Sequence, residues 1–189
     1  MVNKKVIIIF GLGWQQAKYI KFLKKKKYYL IGIDQSPINF LKNDVDDLII
    51  ENIFDTEKIY LKLKSLNIKK PYKIISFLSD TCELAAYKLR KKYKLISDLY
   101  KKVEFAIDKE FQLKELKKNR VFCPKTFFLS TKDINKKKIV KFPIITKPVD
   151  SSGSRGVIKI NNKKDLVKNI SKSLKYSRKN RVLLQEYLP

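Results

Sequence analysis

Phe142–Ile160 reads FPIITKPVDSSGSRGVIKI: an apolar run to Thr146, then Lys147-Pro148-Val149, a break over Asp150–Gly156, and a second apolar run from Val157. Two β-branched runs around a Ser- and Gly-rich break spell strand, loop, strand, with Gly153 and Gly156 giving the tip backbone freedom. Lys147 lifts this stretch above an ordinary surface hairpin. On a strand of period two it shares a face with Ile145 and Val149, where an ammonium is costly unless an anion meets it. The loop beyond offers amide N–H groups, the hydroxyls of Ser151, Ser152 and Ser154, and Arg155 as a second cation, a set suited to a polyphosphate. It is not a Walker A loop, because the lysine precedes the glycines and no GKS or GKT follows. A plain hairpin in a lysine-rich chain fits the same residues.

That lysine richness is general. Of 189 residues, 44 are basic and 18 acidic, a formal charge of +26, which points toward nucleic acid or an anionic membrane. Arginine, however, occurs only at 90, 120, 155, 178 and 181. The lysines are scattered over almost every expected helix and turn, the pattern of a solvated surface instead of one binding face. There is no histidine, which excludes Ser-His-Asp and Cys-His nucleophiles and every histidine metal site. Cys82 and Cys123 are isolated and read as reduced thiols of a soluble cytoplasmic protein. The apolar run Val6–Phe10 is too short for a signal peptide core, and nothing approaches the ~20 apolar residues of a membrane span.

Upstream, Lys5–Phe10 is a continuous apolar run, the form of a strand buried on both faces of a parallel sheet. Gly11-Leu12-Gly13 ends it. Trp14–Lys26, with Trp14, Ala17, Ile20 and Phe22-Leu23 for packing, fits an amphipathic helix, and Tyr28–Ile33 is the next strand, closed by Asp34. Asp46–Ile50 supplies a third strand, Asp55 caps a helix over Ile59, Leu61, Leu63 and Leu66, and Tyr72–Leu78 is a fourth strand. Asp80 or Thr81 caps the next helix, carrying Leu84, Ala85-Ala86 and Leu89. This alternation makes residues 1–104 a small open parallel sheet with helices on both faces.

Beyond it the order changes. Ala106–Leu116 is a helix packing through Phe111, Leu113 and Leu116 and ended by Asn119, and Val121–Leu129 is extended. The hairpin, a helix over Lys164–Tyr176 and a last strand over Arg181–Leu188 follow, so residues 105–189 form an α+β module. Lys136-Lys137-Lys138 reads as an exposed turn.

At this point the chain resembles a family, the ATP-grasp ligases, in their carboxylate–amine ligase and carbamoyl-phosphate-synthase-like branch. The first domain is similar to their Rossmann-like pre-ATP-grasp domain. Asp108-Lys109 with Phe111, Leu116 and Pro124 is similar to their DK helix, and Phe142–Val157 matches their yPxxxKPxxxxGSxGV pattern. Leu183–Leu188 resembles their vlvEEyi hinge. The resemblance implies that Lys109 and Lys147 bind phosphate oxygens of ATP. Ser151, Ser152, Gly153, Ser154, Arg155 and Gly156 would close over the triphosphate, and Gln185, Glu186, Tyr187 and Leu188 would hold adenine through backbone groups. It implies acyl-phosphate chemistry on a small carboxylate, with Mg²⁺ neutralising the transferring group. Gln185 stands where the family commonly has an acid. The family's metal-binding acids lie beyond the hinge, so no catalytic or metal-ligating residue is assigned here. The 189 residues are expected to be a truncated protein with little ligase activity, unless a missing domain acts in trans.

Two other readings compete. Gly11, Gly13 and Asp34 suit an NAD(P)-binding Rossmann protein, although Gln16 occupies the third glycine position. A nonenzymatic basic module would bind nucleic acid through charge, and some nonspecific binding of that kind is expected in any case.

Overall fold

A computed structural model describes residues 4–95, 100–130 and 141–189. The chain divides into two compact units, Met1–Val103 and Glu104–Pro189. The lysine triplet Lys136-Lys137-Lys138 lies outside the described residues.

The first unit alternates strand and helix: β1 (Val6–Phe10), α1 (Ala17–Lys25), β2 (Tyr29–Asp34), β3 (Asp47–Ile50), α2 (Thr56–Ser65), β4 (Lys73–Ser76) and α3 (Asp80–Lys92). Every strand pair is parallel, in the order β3-β2-β1-β4. Strand β1 is internal, and its two faces feed two cores. Ile7 and Ile9 pack with Leu12, Ile20 and Leu30, while Ile8 and Phe10 pack with Ile31, Ile33, Ile59, Leu63, Ala85 and Leu89. A strand covered on both sides has no polar face to alternate with, which explains the unbroken apolar run. Asp55 caps α2 by accepting from the Lys58 amide at 3.1 Å.

Local details differ from the sequence expectation. The cap of α3 is Ser79, whose hydroxyl accepts from the Cys82 amide, and not Asp80 or Thr81. Trp14–Gln16 forms a 3-10 turn ahead of α1, which swings Trp14 out to 70% exposure. Within α1 only Ile20 is fully buried, and Phe22 is 57% exposed. Leu61 on α2 also faces out.

In sequence, α4 (Tyr100–Ile107) leads into the second unit, made of α5 (Lys109–Lys118), β5 (Thr126–Ser130), β6 (Ile144–Pro148), β7 (Ile158–Ile160), α6 (Leu166–Leu174) and β8 (Arg181–Glu186). The single helix expected over Ala106–Leu116 is thus two, because Asp108 takes an extended conformation between them and caps α5 through the Glu110 and Phe111 amides. The extended stretch after α5 pairs only from Thr126 onward. The four strands are antiparallel in the order β5-β8-β6-β7. One face, carrying Ile144, Ile160, Val182 and Leu184, packs against Leu166, Ile170 and Leu174 of α6. By strand alternation Ile145 and Lys147 belong to the other face, and both are half-buried.

Candidate functional site

Lys147 sits on β6 opposite Leu183 of β8, two register positions from the Ile145–Gln185 pair and so on the same face. Its ammonium donates to Gln185 Oε1 at 2.9 Å, and Gln185 Nε2 donates to Thr126 Oγ1 at 3.2 Å on the neighbouring strand. Burial pushes the Lys147 ammonium below the ordinary lysine value, as expected for a charge taken out of water without a carboxylate beside it.

The loop after β6 is fastened at both ends. At its start Asp150, only 3% exposed, accepts from the Ser177 hydroxyl at 2.8 Å, the Lys179 amide at 3.1 Å and Arg178 Nε at 3.4 Å. Arg178 also donates to the Asp150 carbonyl at 2.9 Å. At its end the Gly156 carbonyl accepts from the Ser173 hydroxyl at 2.7 Å. Gly156 has φ +75°, and a Cβ there would meet Pro148 Cγ at 2.8 Å and Tyr176 Cδ2 at 2.9 Å, so only glycine fits. Between these anchors Gly153, Ser154 and Arg155 are exposed, while Ser151 and Ser152 are half-buried. Arg155 Nε donates to the Ser152 carbonyl at 3.2 Å, holding the tip on itself.

Helix α5 delivers Lys109 to the same loop. Its backbone amide donates to the Val149 carbonyl at 2.8 Å and its ammonium to the Ser151 carbonyl. The cap residue Asp108 is bonded to the Lys179 ammonium. Burial pushes the Asp108 carboxyl up, but Lys179 and the two capped amides outweigh it, and the net displacement is downward. Lys109 and Lys147 are therefore brought to one segment, its root and its strand, four residues apart along the chain at Lys147 and Ser151.

The hinge residues follow on β8. The Glu186 amide donates to the Lys125 carbonyl at 3.0 Å, and its carboxylate accepts from the Lys125 amide at 2.9 Å. The Tyr187 amide donates to the Pro143 carbonyl at 3.4 Å. Among the described residues the Leu188 amide makes no hydrogen bond. A cavity of about 500 Å³ is lined by Phe127, Phe142, Ile144, Leu184, Gln185, Glu186 and Tyr187, among others. Its lining combines Ile144 and Leu184 of the α6 face with Gln185, whose side chain bonds Lys147 on the other face. Lys109 and Lys147 do not line it.

Three features escaped the sequence reading. Asp150 is the loop's buried anchor, with partners 27 to 29 residues later. Thr126 and Gln185 form a polar bridge reaching Lys147. Lys159 lies 3.7 Å from the centroid of the Tyr187 ring, a cation–π contact on the Lys147 face.

In the first unit the glycine turn is closed on itself. Asp34 accepts from the Leu12 amide at 2.8 Å and from the Ser36 amide at 2.9 Å. Gln16, buried at the third glycine position of the dinucleotide pattern, donates to the Phe77 carbonyl at 2.9 Å, and its Oε1 lies 2.9 Å from where a Gly13 Cβ would stand. An acid holding the turn and a side chain packed over its glycines do not support a dinucleotide reading.

Among the described residues no group of three or more His, Cys, Asp or Glu is placed to hold a metal ion. The two buried acids of the second unit, Asp108 and Asp150, are committed to amides and cations, so these residues do not fit a Mg²⁺ site.

No family model matches the sequence, and no curated protein matches it. Solved structures do. N5-carboxyaminoimidazole ribonucleotide synthetase from Thermotoga maritima is 25% identical with a TM-score of 0.61, over 97% of this chain and 46% of that one. N5-carboxyaminoimidazole synthetase from Staphylococcus aureus, complexed with ADP, is 21% identical with a TM-score of 0.67, over 98% and 48%. L-amino acid ligase from Bacillus licheniformis is 13% identical with a TM-score of 0.73, over 100% and 47%. The chain spans about half the length of these structures. Its two units have the fold that ATP-grasp carboxylate–amine ligases share over that half. No helix among the described residues is long and apolar enough to cross a membrane.

Proposed function

We propose that the second unit binds ATP, as the nucleotide site of an ATP-dependent carboxylate–amine ligase. Lys109 and Lys147 take α- and β-phosphate oxygens, and Ser151–Gly156 closes over the triphosphate with its amides, hydroxyls and Arg155. Adenine lies against Gln185–Leu188, with the Leu188 amide as donor and a hinge carbonyl as acceptor. In the reaction a substrate carboxylate oxygen attacks the γ-phosphorus and ADP leaves. An amine then attacks the acyl carbon of the resulting acyl phosphate, expelling phosphate and leaving a C–N bond. The residues described here bind and orient the nucleotide. In this reading the acids that hold Mg²⁺ are supplied from outside the described residues, in the same chain or in trans. The two free thiols fit a cytoplasmic setting, and the charge of +26 adds salt-sensitive, nonspecific attraction to nucleic acid.

The observation that carries this reading is the half-buried Lys147 ammonium, met among the described residues only by a neutral amide at the root of a loop pinned at both ends. Calorimetric titration tests it. A nonhydrolysable ATP analogue should bind saturably, compete with inorganic tripolyphosphate, and outcompete NADP⁺. Binding of the dinucleotide without binding of the ATP analogue would refute the assignment. On a panel of carboxylates with ATP and Mg²⁺, the 189-residue chain should release little phosphate, and robust turnover would show that it supplies the acids itself.

A further inference from the structure

Resting on that nucleotide reading, we propose that Gln185 is a positioning residue that holds Lys147 with a neutral partner and so reserves its charge for an incoming polyanion.

The hydrogen bonds fix which way the amide points. The Pro124 carbonyl can only accept, so the Thr126 hydroxyl, 2.8 Å away, donates its single hydrogen there. Thr126 Oγ1 must then accept, and it accepts from Gln185 Nε2 at 3.2 Å. The other end of the amide, Oε1, receives the Lys147 ammonium at 2.9 Å, and an ammonium can only donate. A flipped amide would set donor against donor at Lys147. The chain of bonds is polarised from one end to the other, and it crosses three adjacent strands, β5, β8 and β6.

The same geometry explains why a carboxylate would serve differently. At position 185 an acid would pair with Lys147 as ion to ion, and a phosphate oxygen would have to displace that pair. With glutamine the ammonium is oriented but not neutralised. Other carboxylates do not take its place, since Glu186 bonds the Lys125 amide, Glu110 pairs with Lys114 and Arg181, and Asp108 and Asp150 hold Lys179 and Arg178. On the Lys147 face Lys159 and Arg181 are cations engaged with Tyr187 and with Glu110 and Phe128. Gln185 is thus the one side chain that orients Lys147 without cancelling it, among the described residues.

The test compares wild type with Gln185→Glu and Gln185→Leu. In the ligand-free protein, pH-dependent amine labelling read by mass spectrometry should give Lys147 a midpoint below that of exposed lysines. Gln185→Glu should raise that midpoint and Gln185→Leu should not, a contrast that a merely structural role would not produce. Tripolyphosphate affinity should fall about tenfold or more in Gln185→Glu, and only a few-fold in Gln185→Leu, with thermal unfolding serving as the folding control. An unmoved Lys147 midpoint, or tripolyphosphate binding by Gln185→Glu as tight as wild type, overturns this inference while leaving ATP binding intact. Absence of tripolyphosphate and ATP binding by wild type overturns the nucleotide reading and this inference with it.

Discussion

Each unit carries a glycine-bearing loop at the end of a strand, yet the two loops are wired oppositely. In the first, the Leu12 amide goes to Asp34 and the Gln16 side chain covers the glycines. In the second, a buried anchor at Asp150 and a bond to the Gly156 carbonyl hold the ends of the loop, while Gly153–Arg155 stays exposed. A turn whose polar groups are satisfied internally is a way for a chain to enter a helix. A loop fastened at its root with a cation beside it suits the nucleotide role proposed for it. The glycine spacing is common to both and distinguishes neither.

The contrast breaks most readily at the two acids. Asp150→Ala removes a buried carboxylate and with it the acceptor of the Ser177 hydroxyl, the Lys179 amide and Arg178 Nε, which should cost the second unit about 3 kcal/mol. Asp34→Ala removes two amide caps at a half-buried site and should cost the first unit only about 1–2 kcal/mol. Urea unfolding followed by a probe in each unit measures both. Equal losses would mean that the root of the serine–glycine loop is no more deeply anchored than the glycine turn.

A second pair sharpens the division between root and tip within one loop. Gly156→Ala meets Pro148 and Tyr176 below 3.0 Å at a φ of +75°, and should destabilise by about 2–3 kcal/mol. Gly153→Ala at φ +64° has open space around its Cβ, so only the backbone term of about 1 kcal/mol remains. Denaturant midpoints of the two variants give the difference directly.

Much of this was visible in the residues. The unbroken Val6–Phe10 run declared a strand buried twice, and the alternation of strand and helix to residue 95 gave the parallel sheet, because both signals are local. So was the strand–loop–strand around Lys147. What stayed hidden depends on distant partners. Nothing near Asp150 announces Ser177 or Lys179, and Gln185 looked like a departure from a motif until its bonds to Thr126 and Lys147 fixed its orientation. The periodicity around Trp14 and Phe22 was real but misassigned, since a 3-10 turn at Trp14–Gln16 rotates the start of the helix relative to a continuous α-helical wheel.

The smallest effect is also the most diagnostic, because it separates a residue kept for stability from one kept for binding. Burial lowers the Lys147 value in the fold, so between that lowered value and the ordinary lysine range the unfolded chain binds more protons than the native one. Stability then rises with pH across that window, and below it the native state carries the full penalty of the half-buried charge. Lys147→Met removes the penalty and keeps the aliphatic stem on the sheet. At neutral pH the variant should be as stable as wild type or slightly more so, by under about 1 kcal/mol because the group is partly solvated, and the alkaline rise should flatten in the difference between the two proteins. The same substitution should abolish tripolyphosphate binding. A clear loss of stability in Lys147→Met would instead make this lysine part of the scaffold, and the open loop beside it would lose its claim to differ from the closed glycine turn.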